Sequence, residues 1–129
     1  MTCYFFLMDY LAVAVGGAAG SVLRHALSSF FRAGAPGALP LGTLLVNLLG
    51  SFLIGLCAAG VERGLPWLRP WLMVGFLGGF TTFSAFSLEN MRLVRDGFPG
   101  TAVLYAVVSV GAGGLLAFAG YAVARMPGG

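Results

Sequence analysis

The sequence contains no lysine and few charged residues of any kind. Of its 129 residues, 9% are charged and 59% are hydrophobic, and the mean hydropathy is +0.95. A soluble domain of this size does not need so much apolar surface, so the composition predicts an integral membrane protein. The seven cationic residues are all arginines dispersed along the chain, and they give no sign of a nucleic-acid-binding patch.

Cysteine, histidine and acidic residues are also scarce, and each shortage argues against a class of function. Cys3 and Cys57 provide neither a disulfide framework nor a metal-binding set, and His25 has no neighbour in the sequence that would complete a metal site. The four acidic residues all lie near the ends of apolar segments: Asp9, Glu62, Glu89 and Asp96. A proton-coupled exporter needs a carboxylate inside the membrane, so this function is disfavoured. With no nucleophile–base pair or cofactor motif, we do not expect an enzyme.

Four apolar segments, at about residues 11–31, 41–61, 71–94 and 100–124, are long enough to be transmembrane helices. Short stretches rich in glycine and proline separate them, which favours antiparallel neighbours in one compact bundle. The sequence therefore predicts an all-α integral membrane protein in which residues 1–129 form a single four-helix domain.

The third segment contains the most unusual stretch, Gly75–Ser87. Gly75, Gly78 and Gly79 weaken a helix there, and hydroxyl side chains follow them. Backbone that leaves the helix at membrane depth must be buried in protein or line a watery cavity. The stretch therefore predicts a broken third helix and an ion or substrate site. The alternative is a small-residue packing surface whose hydroxyls bond to their own helical turn.

Polar residues at helical spacing mark the first two segments as well. In the first, Gly16 and Gly20 allow close backbone approach, and Arg24 is either a functional charge inside the membrane or a side chain that reaches the interface. In the second, Thr43, Asn47 and Ser51 share one helix face. The Asn47 amide offers hydrogen-bond donors to a small anion, or it bonds across a helix interface.

The fourth segment presents Tyr105, Ser109 and Gly113 on one face. This face is either a line of donors followed by a gap, or Tyr105 is an aromatic residue at the membrane interface. Near the end of the third segment, Glu89 and Arg92 have the spacing of an intrahelical ion pair.

The arginines are balanced between the two sides of a four-span topology. With Arg24 set aside as intramembrane, three lie on each side: Arg63, Arg69 and Arg125 on one, and Arg32, Arg92 and Arg95 on the other. The positive-inside rule then gives almost no orientation signal. A chain without bias can insert both ways, so the balance favours an antiparallel dimer of two oppositely oriented copies.

The sequence resembles the Fluc (CrcB-type) fluoride channels along its whole length. The resemblance rests on Gly17 and Gly20 with Arg24, on the motif at 42–50 that contains Thr43 and Asn47, and above all on the Gly75–Ser87 string with Glu89. It departs from the family pattern at three positions. Ala85 stands where a threonine is usual, Gly113 where a hydroxyl would continue the polar line, and His25 where an aromatic residue is common.

The resemblance implies a passive, fluoride-selective channel in the cell inner (plasma) membrane that releases fluoride from the cytoplasm. It implies a dual-topology antiparallel homodimer with two fluoride pathways and a central, structural sodium ion held by the backbone carbonyls of Gly78 and Thr81. The pathway residues that it implies are Asn47, Phe83, Phe86, Tyr105 and Ser109, with Thr43 alongside and Arg24 near a pore mouth. The alternatives are a four-span small multidrug-type transporter and a non-conducting membrane subunit.

Overall fold

Four helices long and apolar enough to cross a membrane lie in the part of the chain that the structure describes. The structure is a computed structural model that describes residues 2–31 and 34–126, with side chains from residue 6 onward. Helix α1 covers Thr2–Phe30, and α2 covers Leu41–Glu62. No strand occurs in the described ranges, and the predicted all-α membrane fold is confirmed. Helix α1 begins well before the predicted start at residue 11, because residues 2–10 contain no glycine or proline to interrupt it.

The third span consists of three consecutive parts. A π-helical segment, Arg69–Leu77, comes first, and a single α-helical turn, α3, continues it over Gly78–Phe80. Helix α4, Phe83–Arg95, then resumes the span after two residues of extended backbone. The predicted break in the third helix is therefore present, and it lies at Thr81 and Thr82, where ψ is 156° and 119°. The last span is α5, Pro99–Arg125.

Glycines let α1 lie directly against the first half of the third span. A Cβ atom at Gly20 would collide with the backbone oxygen of Phe76, and one at Gly79 would collide with the backbone of Gly17. The two backbones are thus in contact along this interface, as the small-residue spacing of Gly16 and Gly20 predicted. This contact places the break beside α1.

Helices α2 and α5 pack together in the same way. Gly55 on α2 faces the backbone of Ala117, and Gly120 on α5 faces the backbone of Phe52. Nearer the start of α5, a buried cluster joins α2, α4 and α5: Leu44, Leu93, Ala102 and Tyr105. The interface brings the polar face of α2 against the polar face of α5.

A glycine turn reverses the chain between α4 and α5. Gly97 has a φ of 90°, a conformation that side-chain-bearing residues rarely adopt. Around it, Gly97 N donates to Val94 O at 3.2 Å and Phe98 N donates to Leu93 O at 2.8 Å. These two bonds satisfy carbonyls at the end of α4 in a Schellman motif. Pro99 then begins α5, so the two helices run antiparallel as the short connection predicted.

Candidate ion pathway at the helix break

Two threonines form the break in the third span. Thr81 donates twice to Leu77 O, from its backbone N and from its Oγ1, both at 2.9 Å. Thr82 is the N-cap of α4, and its Oγ1 accepts a hydrogen bond from Ala85 N at 3.2 Å. Threonine is suited both to ending a helix and to capping the next one, because its hydroxyl bonds readily to nearby backbone groups. The sequence therefore ends one helix and starts the next within two residues.

Asn47 holds the break from the neighbouring helix α2. Its Nδ2 donates to Thr82 O at 3.1 Å, and its Oδ1 accepts from Thr82 N at 2.8 Å. Both backbone groups of Thr82 are thereby satisfied, which is required at membrane depth. An asparagine amide has two N–H donors, so one remains for another partner. Asn47 thus bonds across a helix interface, one of the two predicted roles, and keeps a donor for the other.

Arg24 binds the other side of the break. Its Nε donates to Gly79 O at 3.0 Å, and Ser21 Oγ donates to the same oxygen at 3.4 Å. The carbonyls at the end of α3 carry partial negative charge, so a guanidinium there is favourable. Arg24 is half-buried against the break. This contact agrees with a functional charge, one of the two predicted roles of Arg24.

The break leaves the carbonyl oxygens of residues 78–81 without their usual helical donors, and Gly78 O and Thr81 O are two of them. Gly78 O would accept from Thr82 N in a continuous helix, but that N–H donates to Asn47. Thr81 O would accept from Ala85 N, but that N–H donates to the Thr82 hydroxyl. No other hydrogen bond to Thr81 O is formed within the described chain. Gly78 O and Thr81 O are therefore among the carbonyl oxygens available to an external partner.

Glu89 is a site residue that the sequence did not identify. Thr43 Oγ1 donates to its Oε1 and Tyr105 OH donates to its Oε2, both at 2.7 Å. Thr43 and Tyr105 are only 4% and 0% exposed, so their hydroxyls need a partner inside the protein. The predicted Glu89–Arg92 ion pair is absent within the described part of the chain, because the carboxylate faces α2 and α5 instead. The signal available in the sequence was that Thr43 and Tyr105 carry hydroxyls within apolar segments, where such groups need hydrogen-bond partners.

Aromatic rings continue from this network towards the break. Phe86 contacts Tyr105 with ring centroids 4.9 Å apart, and Phe83 contacts Phe86 at 5.5 Å. Phe83 is 78% exposed, so its ring projects from the surface of the chain. Beside this line, Ser109 Oγ is buried and has no hydrogen-bond partner among the residues that the structure describes. A buried hydroxyl without a partner is rare, and it points to a group that the chain itself does not supply.

Two cavities flank these residues. The break cavity, of about 300 Å³, has polar walls from Asn47, Ser51, Thr81 and Thr82. The polar cavity, of about 560 Å³, is lined by the polar side chains of His25, Ser28, Ser29, Thr43, Glu89 and Arg92. Thr43 and Asn47 lie one turn apart on α2 and therefore link the two. In the described residues, no group of three or more His, Cys, Asp or Glu side chains could hold a metal ion.

Comparison with known proteins places this arrangement in a family. Residues 11–121 match the model of the family described as CrcB-like protein, Camphor Resistance. A relative from Thermus thermophilus, named fluoride-specific ion channel FluC, is 49% identical over 87% of this chain and 90% of its own length. Relatives with the same name from Stutzerimonas stutzeri and Rhizobium meliloti are 48% and 45% identical over 89% of this chain, covering 95% and 94% of their own lengths. The chain therefore belongs to the CrcB-like protein family.

Proposed function

We propose that this protein is a fluoride-selective ion channel of the cell membrane and that residues 1–129 form one channel domain. The main support is its 49% identity over 87% of the chain to a relative named as a fluoride-specific ion channel. The four membrane-length helices agree with a multi-pass membrane protein. The break, its two cavities and the unpartnered Ser109 hydroxyl provide a polar route of the kind that an ion needs.

The proposed fluoride pathway follows the polar faces of α2 and α5. Its donors are the Ser109 hydroxyl and the remaining N–H of Asn47. Thr43 and Tyr105 lie alongside, and their hydroxyls donate to Glu89. Phe83 and Phe86 add ring edges, which carry partial positive charge and can face an anion. Arg24 binds the break and contributes positive charge near it. In a narrow route these groups replace the water shell of a small anion, and the width of the route excludes a larger anion.

A sodium ion at the centre of a dimer is the proposed partner of the free carbonyls. Gly78 O and Thr81 O have lost their helical donors, and hard cations prefer oxygen ligands. Neutral carbonyls suit a singly charged ion, and two protomers meeting at their breaks would supply two pairs of them. When bound, the ion would neutralise the partial negative charge of these oxygens and hold the breaks together.

The proposed assembly is an antiparallel homodimer in the bilayer. Three arginines on each side of the membrane leave the insertion direction undetermined. The 78% exposure of Phe83 beside the break cavity gives a second reason. A pathway residue that projects this far from its own protomer needs a second copy to enclose it. Two copies would then form two pathways.

A flux assay in liposomes tests the proposal. The purified protein is reconstituted as the only protein, and the efflux of fluoride and of chloride is measured separately. We expect rapid fluoride efflux with chloride efflux close to that of protein-free liposomes. Equal rates for the two anions, or no fluoride efflux from correctly inserted protein, would contradict the function. Proton-driven uptake of an organic cation would instead support the multidrug-type transporter.

The sodium ion requires a separate measurement. Purification and reconstitution with N-methylglucamine in place of sodium should lower the fluoride flux, and adding sodium back should restore it. Flux that is independent of sodium throughout would remove the ion from the proposal and leave the channel function standing.

A further inference from the structure

Ser51 on α2 fills a gap in the polar face of α5. Gly113 is buried, and a Cβ atom at this position would lie 3.3 Å from Ser51 Oγ. Apart from the neighbouring residues and backbone of α5 itself, no other described atom is within 4 Å of that Cβ position, so the serine hydroxyl is the group that occupies the space. A hydroxyl from α2 therefore lies where α5 has no side chain.

The same hydroxyl adjoins two groups of the proposed pathway. Gly113 follows Ser109 by one turn on the same face of α5, and the Ser109 hydroxyl has no partner. Ser51 follows Asn47 by one turn on α2, and both residues line the break cavity. Residues four apart on a helix are surface neighbours. Ser51 thus lines the break cavity and also lies beside the Gly113 gap, one turn along α5 from Ser109.

The hydrogen bond that Ser51 now makes is one that can be exchanged. Its Oγ donates to Asn47 O at 2.8 Å, a bond to its own helical turn. Asn47 O is also the ordinary helical acceptor at this turn, so it does not depend on the serine. A hydroxyl has a single proton and rotates to suit its partner, and hydrogen bonds to an ion are stronger than neutral ones. The proton can therefore turn from the carbonyl to an anion.

We propose that Ser51 is an additional anion-contacting residue of the pathway and donates its hydroxyl proton to fluoride one turn beyond Ser109. The inference rests on the proposed channel function and adds a residue to it. In this arrangement the donors alternate between α5 and α2, and the gap at Gly113 makes room for the serine.

The test removes the hydroxyl at position 51 on α2 and then adds a hydroxyl at the facing position 113 on α5. Ser51→Ala removes the donor, and we expect roughly tenfold lower fluoride flux, because hydrogen bonds to charged groups contribute at least this factor. Ser51→Ala with Gly113→Ser places a hydroxyl on the opposite helix, in the space that the alanine leaves. This double variant should recover most of the lost flux. Thr101→Ala is the control, because Thr101 lies on α5 near its start, lines neither cavity and is not part of the proposed pathway.

The outcomes separate this inference from the channel function. Parent-like flux in Ser51→Ala, with the parent conducting fluoride, overturns the role of Ser51 alone. Lowered flux that a folded double variant does not recover also overturns it, because the serine would then be structural. If Ser51→Ala does not fold, Ser51→Cys replaces it, since a thiol of similar shape is a weak donor and should also lower the flux. No fluoride flux in the parent contradicts the channel function itself.

Discussion

Asn47 has a structural role in the protein, and we propose a conducting role for the same side chain. The sequence predicted either a donor to an anion or a bond across a helix interface. In the structure the amide pairs with both backbone groups of Thr82 and keeps one N–H donor. The two predicted roles are therefore compatible in a single residue, and they have different consequences on mutation.

Asn47→Leu should lower both the stability of the protein and its fluoride flux. The variant leaves Thr82 N and Thr82 O without partners, and each unsatisfied buried group costs about 1–3 kcal/mol. A lower unfolding temperature in detergent, together with lower flux in liposomes, is the expected result. Unchanged thermal unfolding would show that the break does not depend on this amide.

Phe83→Ala should reduce fluoride flux while the protein stays folded. The ring is 78% exposed in the protomer, so its removal costs little packing, but it removes a ring edge beside the break cavity. We expect a loss of roughly tenfold, equivalent to about 1.4 kcal/mol, a size within the range of aromatic contacts. Efflux is measured in liposomes with a fluoride electrode.

Phe118→Ala is the matched control for Phe83→Ala, because Phe118 on α5 is equally exposed at 78% but lies in an apolar groove away from the break. Its flux should equal that of the parent. Equal flux in all three proteins would remove Phe83 from the pathway.

At the scale of the elements, backbone contact between helices determines where the break lies. Helix α1 can approach the first half of the third span closely because glycines lie at the contact, Gly20 on α1 and Gly79 on the third span. That approach brings Arg24 and Ser21 within hydrogen-bond distance of Gly79 O. The glycine spacing was readable in the sequence, whereas the π-helical start of the third span at Arg69–Leu77 was not, because no local motif there distinguishes it from an α-helix.

Gly20→Val should prevent the protein from folding correctly. Its side chain would collide with backbone atoms of Phe76 and Phe80, which cannot move aside as a flexible side chain can. The expected result is loss of the folded peak in size-exclusion chromatography of the detergent extract. Gly114→Val controls for the change in helix propensity, because nothing lies within 4 Å of a Cβ atom at that position. If both variants elute as the parent does, the close contact between α1 and the third span is not required.

At the scale of the whole molecule, the proposed antiparallel dimer predicts that the chain inserts into the membrane in both orientations. The segment between α2 and the third span is exposed, and Leu65 within it is 45% exposed. Leu65→Cys in a background without Cys3 and Cys57 places one thiol there and leaves the arginine balance unchanged. A membrane-impermeant thiol reagent should label half of the population from each side. Labelling from one side only, in fully inserted protein, would contradict the antiparallel dimer.

The sequence alone determined the class, the four spans and the family. Hydropathy and segment length require membrane helices whatever the packing, and the Gly75–Ser87 string carried the resemblance to fluoride channels that the family match now confirms. The prediction that the chain is not an enzyme is confirmed by the same family assignment. These properties are local in the chain, so they could be read without the fold.

Only the tertiary structure decided which polar groups are already paired. Thr43 and Tyr105 are far apart in the sequence, yet both donate to Glu89, a carboxylate that the sequence had assigned to an ion pair with Arg92. The Ser109 hydroxyl has no hydrogen-bond partner in the described part of the chain, although its spacing from Tyr105 suggested the same environment. Hydrogen bonding depends on which helices meet and at what rotation, and that information is spread over three interfaces rather than held in any one motif.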